Sequence, residues 1–161
     1  MIARFNEMPA EEAVSNLHEC FASRPWAERV ASGRPYRDFE SLIAACDTAW
    51  SELAPSDWLA AFAAHPRIGE SGGHAPESSE REQAGVRSAS PETMAALADE
   101  NRRYEARFGH VFLISASGRT SDEILVELHR RMQNDSATEV AVAAAEHRKI
   151  TRIRLERMLS E

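Results

Sequence analysis

Apolar residues recur along most of the chain at the three- and four-residue spacing of an amphipathic helix, and capping residues or prolines stand where each run begins. Pro9 suits a first-turn position after Asn6 or Glu7, and "AEEAVSNLHECF" follows with helical spacing. Ser23 can cap "PWAERVA", which Gly33 closes. Asp38 can cap "FESLIAACDTAWSEL", which stops before Pro55. Ser56 can cap "DWLAAFAA", which stops at His65-Pro66 because a residue before proline is pushed out of the helical region. Residues 70–78 turn to Gly, Ser, His and Pro and read as a loop. A short helix, "SEREQAGV", follows, and Ser90-Pro91 opens "PETMAALADENRRYEARF", ended by Gly109. Thr120-x-x-Glu123 and Ser136-x-x-Glu139 read as capping boxes for the last two helices, the second running to about Leu159.

Only "HVFLISAS" has the apolar, β-branched character of a strand. With no second strand to pair with, it reads as an extended crossing segment. The pattern predicts an all-α, single-domain helical bundle over residues 1–161, with about seven or eight helices and one short extended segment.

A length of 161 residues suits one domain and a core that needs no metal or disulfide staple. The net charge of -7 argues against sequence-independent nucleic-acid binding, which needs clustered Lys and Arg. Lys149 is the only lysine, and arginine suits planar carboxylate or urea-like groups better. Cys20 and Cys46 form no CxxC motif and fit two buried thiols in a reducing compartment. No apolar run is long enough to cross a membrane and none resembles a signal peptide, so the expected location is cytoplasmic.

Three places could carry chemistry. His65 ends a helix, where free carbonyls favour a cation, and Pro66 fixes the exit direction. Imidazole passes protons well near neutral pH, but a helix-stop histidine that caps carbonyls fits the same spacing. Ser79, Glu82 and Gln83 lie at a polar helix start after a Gly-rich loop. They can hold a ligand, or Ser79-x-x-Glu82 can simply be a capping box. Arg154 falls on an apolar stripe with Val140, Ala143, Ala144, His147, Ile150 and Met158. An arginine there must snorkel, pair with a carboxylate or bind an anion; His147 on the same stripe reads as a satisfied core histidine. His65, Glu70, His74 and Glu77 match no metal-ligand spacing, so no metal site is expected. Arg67 can steer an anionic substrate or stay a solvated surface charge.

"HPRIGE", "SSEREQAG", "NRRYEARFGHVFLISASGRT", "RRMQND" and "EHRKITRIRLERML" together resemble the OHCU decarboxylases, from about residue 8 to residue 159. The resemblance implies cofactor-independent conversion of 2-oxo-4-hydroxy-4-carboxy-5-ureidoimidazoline to (S)-allantoin and CO2 in urate breakdown. It also implies an all-α fold that is often a homodimer. The family's catalytic histidine falls on His65, with Pro66 beside it. Its ligand-binding Ser, Glu and Gln fall on Ser79, Glu82 and Gln83. Its main-chain contact segment falls on Phe112, Leu113, Ile114, Ser115 and Ala116, and its arginine on Arg154. His110 and Ser115 depart from the apolar residue and Cys of many relatives. A non-catalytic module that binds a ureide or purine metabolite would use the same residues.

Overall fold

The computed structural model describes residues 1–70 and 72–161. Ser71, part of the loop expected over residues 70–78, lies outside the described residues. The chain is all-α, as the spacing predicts: among the described residues there are nine α-helices, one short 3-10 helix and no strand.

The chain forms two compact units. Met1–Ala61 and Arg148–Glu161 make the first. It holds α1 (Ile2–Glu7), α2 (Ala10–Cys20), α3 (Arg24–Ser32), α4 (Phe39–Ser51), most of α5 (Pro55–Ala63) and the last part of α9 (Ser136–Ser160). Its core buries Phe5, Leu17, Phe21, Trp26, Leu42 and Leu155 among others. Ser23 accepts from the Trp26 amide and Asp38 from the Ser41 amide, so α3 and α4 begin where the capping residues place them. Trp26 sends its indole N–H into the Cys46 carbonyl at 3.1 Å, which ties α3 to α4 inside the core.

The sequence pattern misses α1. This six-residue helix has no side-chain cap and is too short to persist alone. Tertiary contacts hold it: Phe5 is buried, Asn6 exchanges two hydrogen bonds with the Tyr36 backbone, and the Arg34 guanidinium binds the Phe5 and Met8 carbonyls.

Phe62–His147 makes the second unit. It holds α6 (Pro76–Glu82), the 3-10 helix Ala84–Val86, α7 (Pro91–Phe108), α8 (Ser121–Arg131) and the first part of α9. Its core gathers Ile68, Val86, Leu97, Tyr104, Phe112, Ile114, Ile124 and Leu128. Gly109 closes α7 at φ 78, a left-handed conformation that glycine adopts without strain.

Three helix starts differ from expectation. Helix α5 begins at Pro55, so Ser56 sits inside it, and Asp57 accepts from the Ala54 amide instead. Helix α6 begins at Pro76, with Ala75 as N-cap, so Ser79 lies within the helix and Ser79-x-x-Glu82 is not a capping box. Proline at the first helical position outweighs the serine because its φ is already helical. At α9 the cap is Asp135, which accepts from the Thr138 amide at 2.7 Å, and Glu139 is buried for another purpose.

Candidate functional site

Helix α5 stops at Ala63, and the His65 amide closes a tight turn onto the Phe62 carbonyl. The next residue, Pro66, has no N–H to continue a helix, so the turn leaves His65 buried at 7% exposure. The following loop returns to this point: the His74 amide donates to the Ala64 carbonyl at 3.1 Å. Gly73 makes the return possible. At φ +78 any side chain is strained, and a Cβ would stand 2.7 Å from the Ala64 oxygen and 2.8 Å from Pro66 Cδ. His74, placed in a loose loop by composition, is instead anchored edge-on to His65, with ring centroids 5.3 Å apart.

His147 meets His65 directly. Their Nε2 atoms are 2.9 Å apart, and the rings stand nearly perpendicular at 82°. His147 has no solvent exposure, and Phe62 presses edge-on against it and against His110. Two imidazole nitrogens at this distance share one hydrogen, so one ring donates and the other accepts. His147 is thus a satisfied core histidine, as its place on the apolar stripe suggests, and its partner is His65. Its seven-residue spacing to Arg154 marks an inward face, but nothing local to either histidine names the other as partner.

Helix α6 carries Ser79 and Glu82, both buried. Gln83 follows as its C-cap, and its Oε1 accepts from the Gly69 amide at 2.8 Å. A recess of about 410 Å³ is lined by Gly69, Glu70, Ser79, Gln83, Val86 and Met94, among others. Glu82 is not in that lining: it sits one position, about 100°, round the helix from Gln83. Arg67 lies in a forked pair with Glu105, at 2.7 and 3.0 Å, which offsets much of its charge.

The segment Phe112–Ala116 is neither helix nor strand, and side chains bond part of its backbone in place of a partner strand. Arg131 Nη1 donates to the Leu113 carbonyl at 2.6 Å, and Glu146 accepts from the Ser115 amide at 3.2 Å. Arg119 donates to the Ser115 carbonyl. These bonds answer part of the accounting that buried backbone requires. Among the described residues no hydrogen bond engages the Ile114 N–H or carbonyl. Behind the segment, Arg131 Nε binds Glu139 at 2.7 Å, and the Tyr104 hydroxyl donates to the same carboxylate. Burial, then the bond to Glu139, pushes the Tyr104 hydroxyl pKa well up, so it stays a donor. Sequence reasoning singled out none of Arg131, Glu139, Glu146 or Tyr104 for this, since their partners are set by folding.

Arg154 is 3% exposed on the α9 stripe, in the first unit, and donates a long 3.4 Å bond to the Glu19 carbonyl. His65, Pro66, Ser79, Glu82, Gln83 and Phe112–Ala116 all belong to the second unit. Among the described residues, no group of three His, Cys, Asp or Glu side chains is arranged to hold a metal ion. Among them too, no helix is long and apolar enough to cross a membrane.

An all-α chain with paired buried imidazoles, a buried carboxylate and a pinned strip of backbone has groups that move protons and bind amides. The chain belongs to the OHCU decarboxylase family, whose model matches residues 6–156. It is 32% identical over 148 residues to the uric acid degradation bifunctional protein TTL of Arabidopsis thaliana, covering 88% of this chain and 46% of that one. The chain thus spans less than half of that relative's length. It is 30% identical to the 2-oxo-4-hydroxy-4-carboxy-5-ureidoimidazoline decarboxylase of Amia calva, covering 94% and 90% of the two chains. Among solved structures it resembles that of an OHCU decarboxylase in the presence of (S)-allantoin. The TM-score there is 0.79 at 31% identity, over 96% of this chain and all of the other.

Proposed function

We propose that this protein decarboxylates 2-oxo-4-hydroxy-4-carboxy-5-ureidoimidazoline to (S)-allantoin and CO2. The observation that carries the reading is His65, buried at the end of α5 with its Nε2 held by His147, within the family match over residues 6–156.

The substrate supplies its own electron sink, a ring C=N bond beside the carbon that bears the carboxylate. Breaking the bond to CO2 sends its electron pair into a new carbon–carbon double bond, while the C=N π electrons move to nitrogen, which takes a proton. Loss of the hydroxyl proton and protonation of the neighbouring carbon then give allantoin. No electron-sink cofactor is needed for this sequence. The protein must orient the carboxylate and deliver the proton to one face. His65 is the proton-transfer group. Glu82 holds ureido or ring N–H groups, with Ser79 and Gln83 as hydrogen-bond partners and Pro66 as a wall. In the segment Phe112, Leu113, Ile114, Ser115 and Ala116, the main-chain groups not already engaged, those of Ile114 among them, meet the substrate, and Arg154 binds a carbonyl or the developing anion. One-sided protonation yields one enantiomer.

The family resemblance also carries a homodimer into this reading, which sedimentation equilibrium tests. Two free, buried cysteines suit a reducing cytoplasm. The activity test is circular dichroism of allantoin formed from urate with urate oxidase and hydroxyisourate hydrolase. A fast (S)-allantoin signal on adding the native protein supports the reading. Slow racemic product overturns it and favours a binding module.

A further inference from the structure

We propose that His147 is a positioning residue that sets the tautomer of His65. This rests on the decarboxylase reading. An imidazole that transfers a proton must present its basic nitrogen, or its N–H, to the right place, and a lone neutral ring interconverts between two tautomers. Here one nitrogen of His65 is committed. Its Nε2 stands 2.9 Å from His147 Nε2, and one hydrogen occupies that contact. The ring that donates there fixes the location of the other ring's remaining proton. His147 holds its place because it is fully buried and packed edge-to-face with Phe62, ring centroids 5.3 Å apart. Water therefore does not compete for the contact. Phe62 itself lies at the end of α5, three residues before His65, so one aromatic side chain backs both the turn and the partner ring. His74, edge-on to His65, restrains the same ring from another side.

Two substitutions and two readouts test this. His147→Leu fills the space without a polar atom; His147→Gln restores a group that both donates and accepts. With native protein confirmed to turn over the ureidoimidazoline, His147→Leu is expected to lower kcat by about 10–100-fold, the loss usual for a group that orients a functional side chain. KM moves far less, and His147→Gln recovers most of the rate. Two-bond 15N–1H correlation spectra, with His65 assigned by its absence in His65→Asn, show one tautomer in native protein and averaging in His147→Leu. A Leu variant with native kcat, or with an unchanged His65 spectrum, overturns the proposal and leaves the decarboxylase reading standing. Native protein without turnover overturns both.

Discussion

Arg131 and Glu139 face each other between α8 and α9 with no solvent contact on either side chain, and Arg131 also grips the Leu113 carbonyl. The pair lies behind the segment Phe112–Ala116, and Tyr104 completes it from α7. Removing one partner strands a buried charge. Arg131→Met is therefore expected to lower unfolding free energy by roughly 3–5 kcal/mol in urea titrations. Replacing both partners, Arg131→Met with Glu139→Leu, should cost less than the single change. A double variant weaker than Arg131→Met would show that the pair is not acting as one unit.

His65→Asn keeps a polar group at the turn but shortens the side chain and removes the imidazole. It should lower kcat by roughly 10²–10⁴-fold, with a modest fall in thermal midpoint because His147 loses its buried partner. Allantoin formation followed by circular dichroism reads the first and thermal denaturation the second. Native-like kcat would remove His65 from the mechanism.

Gly73→Ala puts a methyl group against Ala64 oxygen and Pro66 Cδ at a positive φ. The loop must lift from Pro66, so stability falls by about 1 kcal/mol or more and KM rises. Gly72→Ala is the control: its φ is +106, yet nothing lies within 4 Å. Equal losses in both variants would mean that backbone strain alone, and not the approach to Pro66, sets the effect.

Asp38 caps α4, and hydrogen bonds from the Ser41 hydroxyl and amide, with Arg37, hold its pKa down to about 2 from 3.8. A depressed carboxylate contributes stability above its unfolded pKa and loses it as pH falls through the folded one. Thermal midpoints of native protein should therefore drop between pH 4 and about 2, and Asp38→Asn should flatten that part of the curve. Parallel curves for the two proteins would count against the cap as the source.

Burial pushes the Cys46 thiol pKa well up, with smaller effects from Cys20 and Asp47. The folded protein should leave Cys46 unmodified by a thiol reagent at pH 8 and react fully in denaturant. Mass spectrometry of the alkylated peptide decides it, and fast native labelling would show that α4 opens.

The helices were legible from sequence because a cap and an apolar repeat act within a few residues of each other. Ser23, Asp38, Ser90 and Thr120 stand where the structure uses them. Errors arose where two local signals competed, as Pro76 with Ser79 and Asp135 with Ser136, or where distant contacts hold a short helix, as Arg34 and Tyr36 hold α1. His65 could be singled out from a helix end and a proline, and its family from five motifs in order. Its ring partner could not, because His147 lies 82 positions away. The same holds for Arg131 and Glu146, which bond part of the backbone of Phe112–Ala116 from helices later in the chain. Hydrophobic period and capping are properties of neighbours along the chain, so sequence determines them. Which buried polar groups meet is decided only when folding removes water and each donor must find an acceptor in what remains.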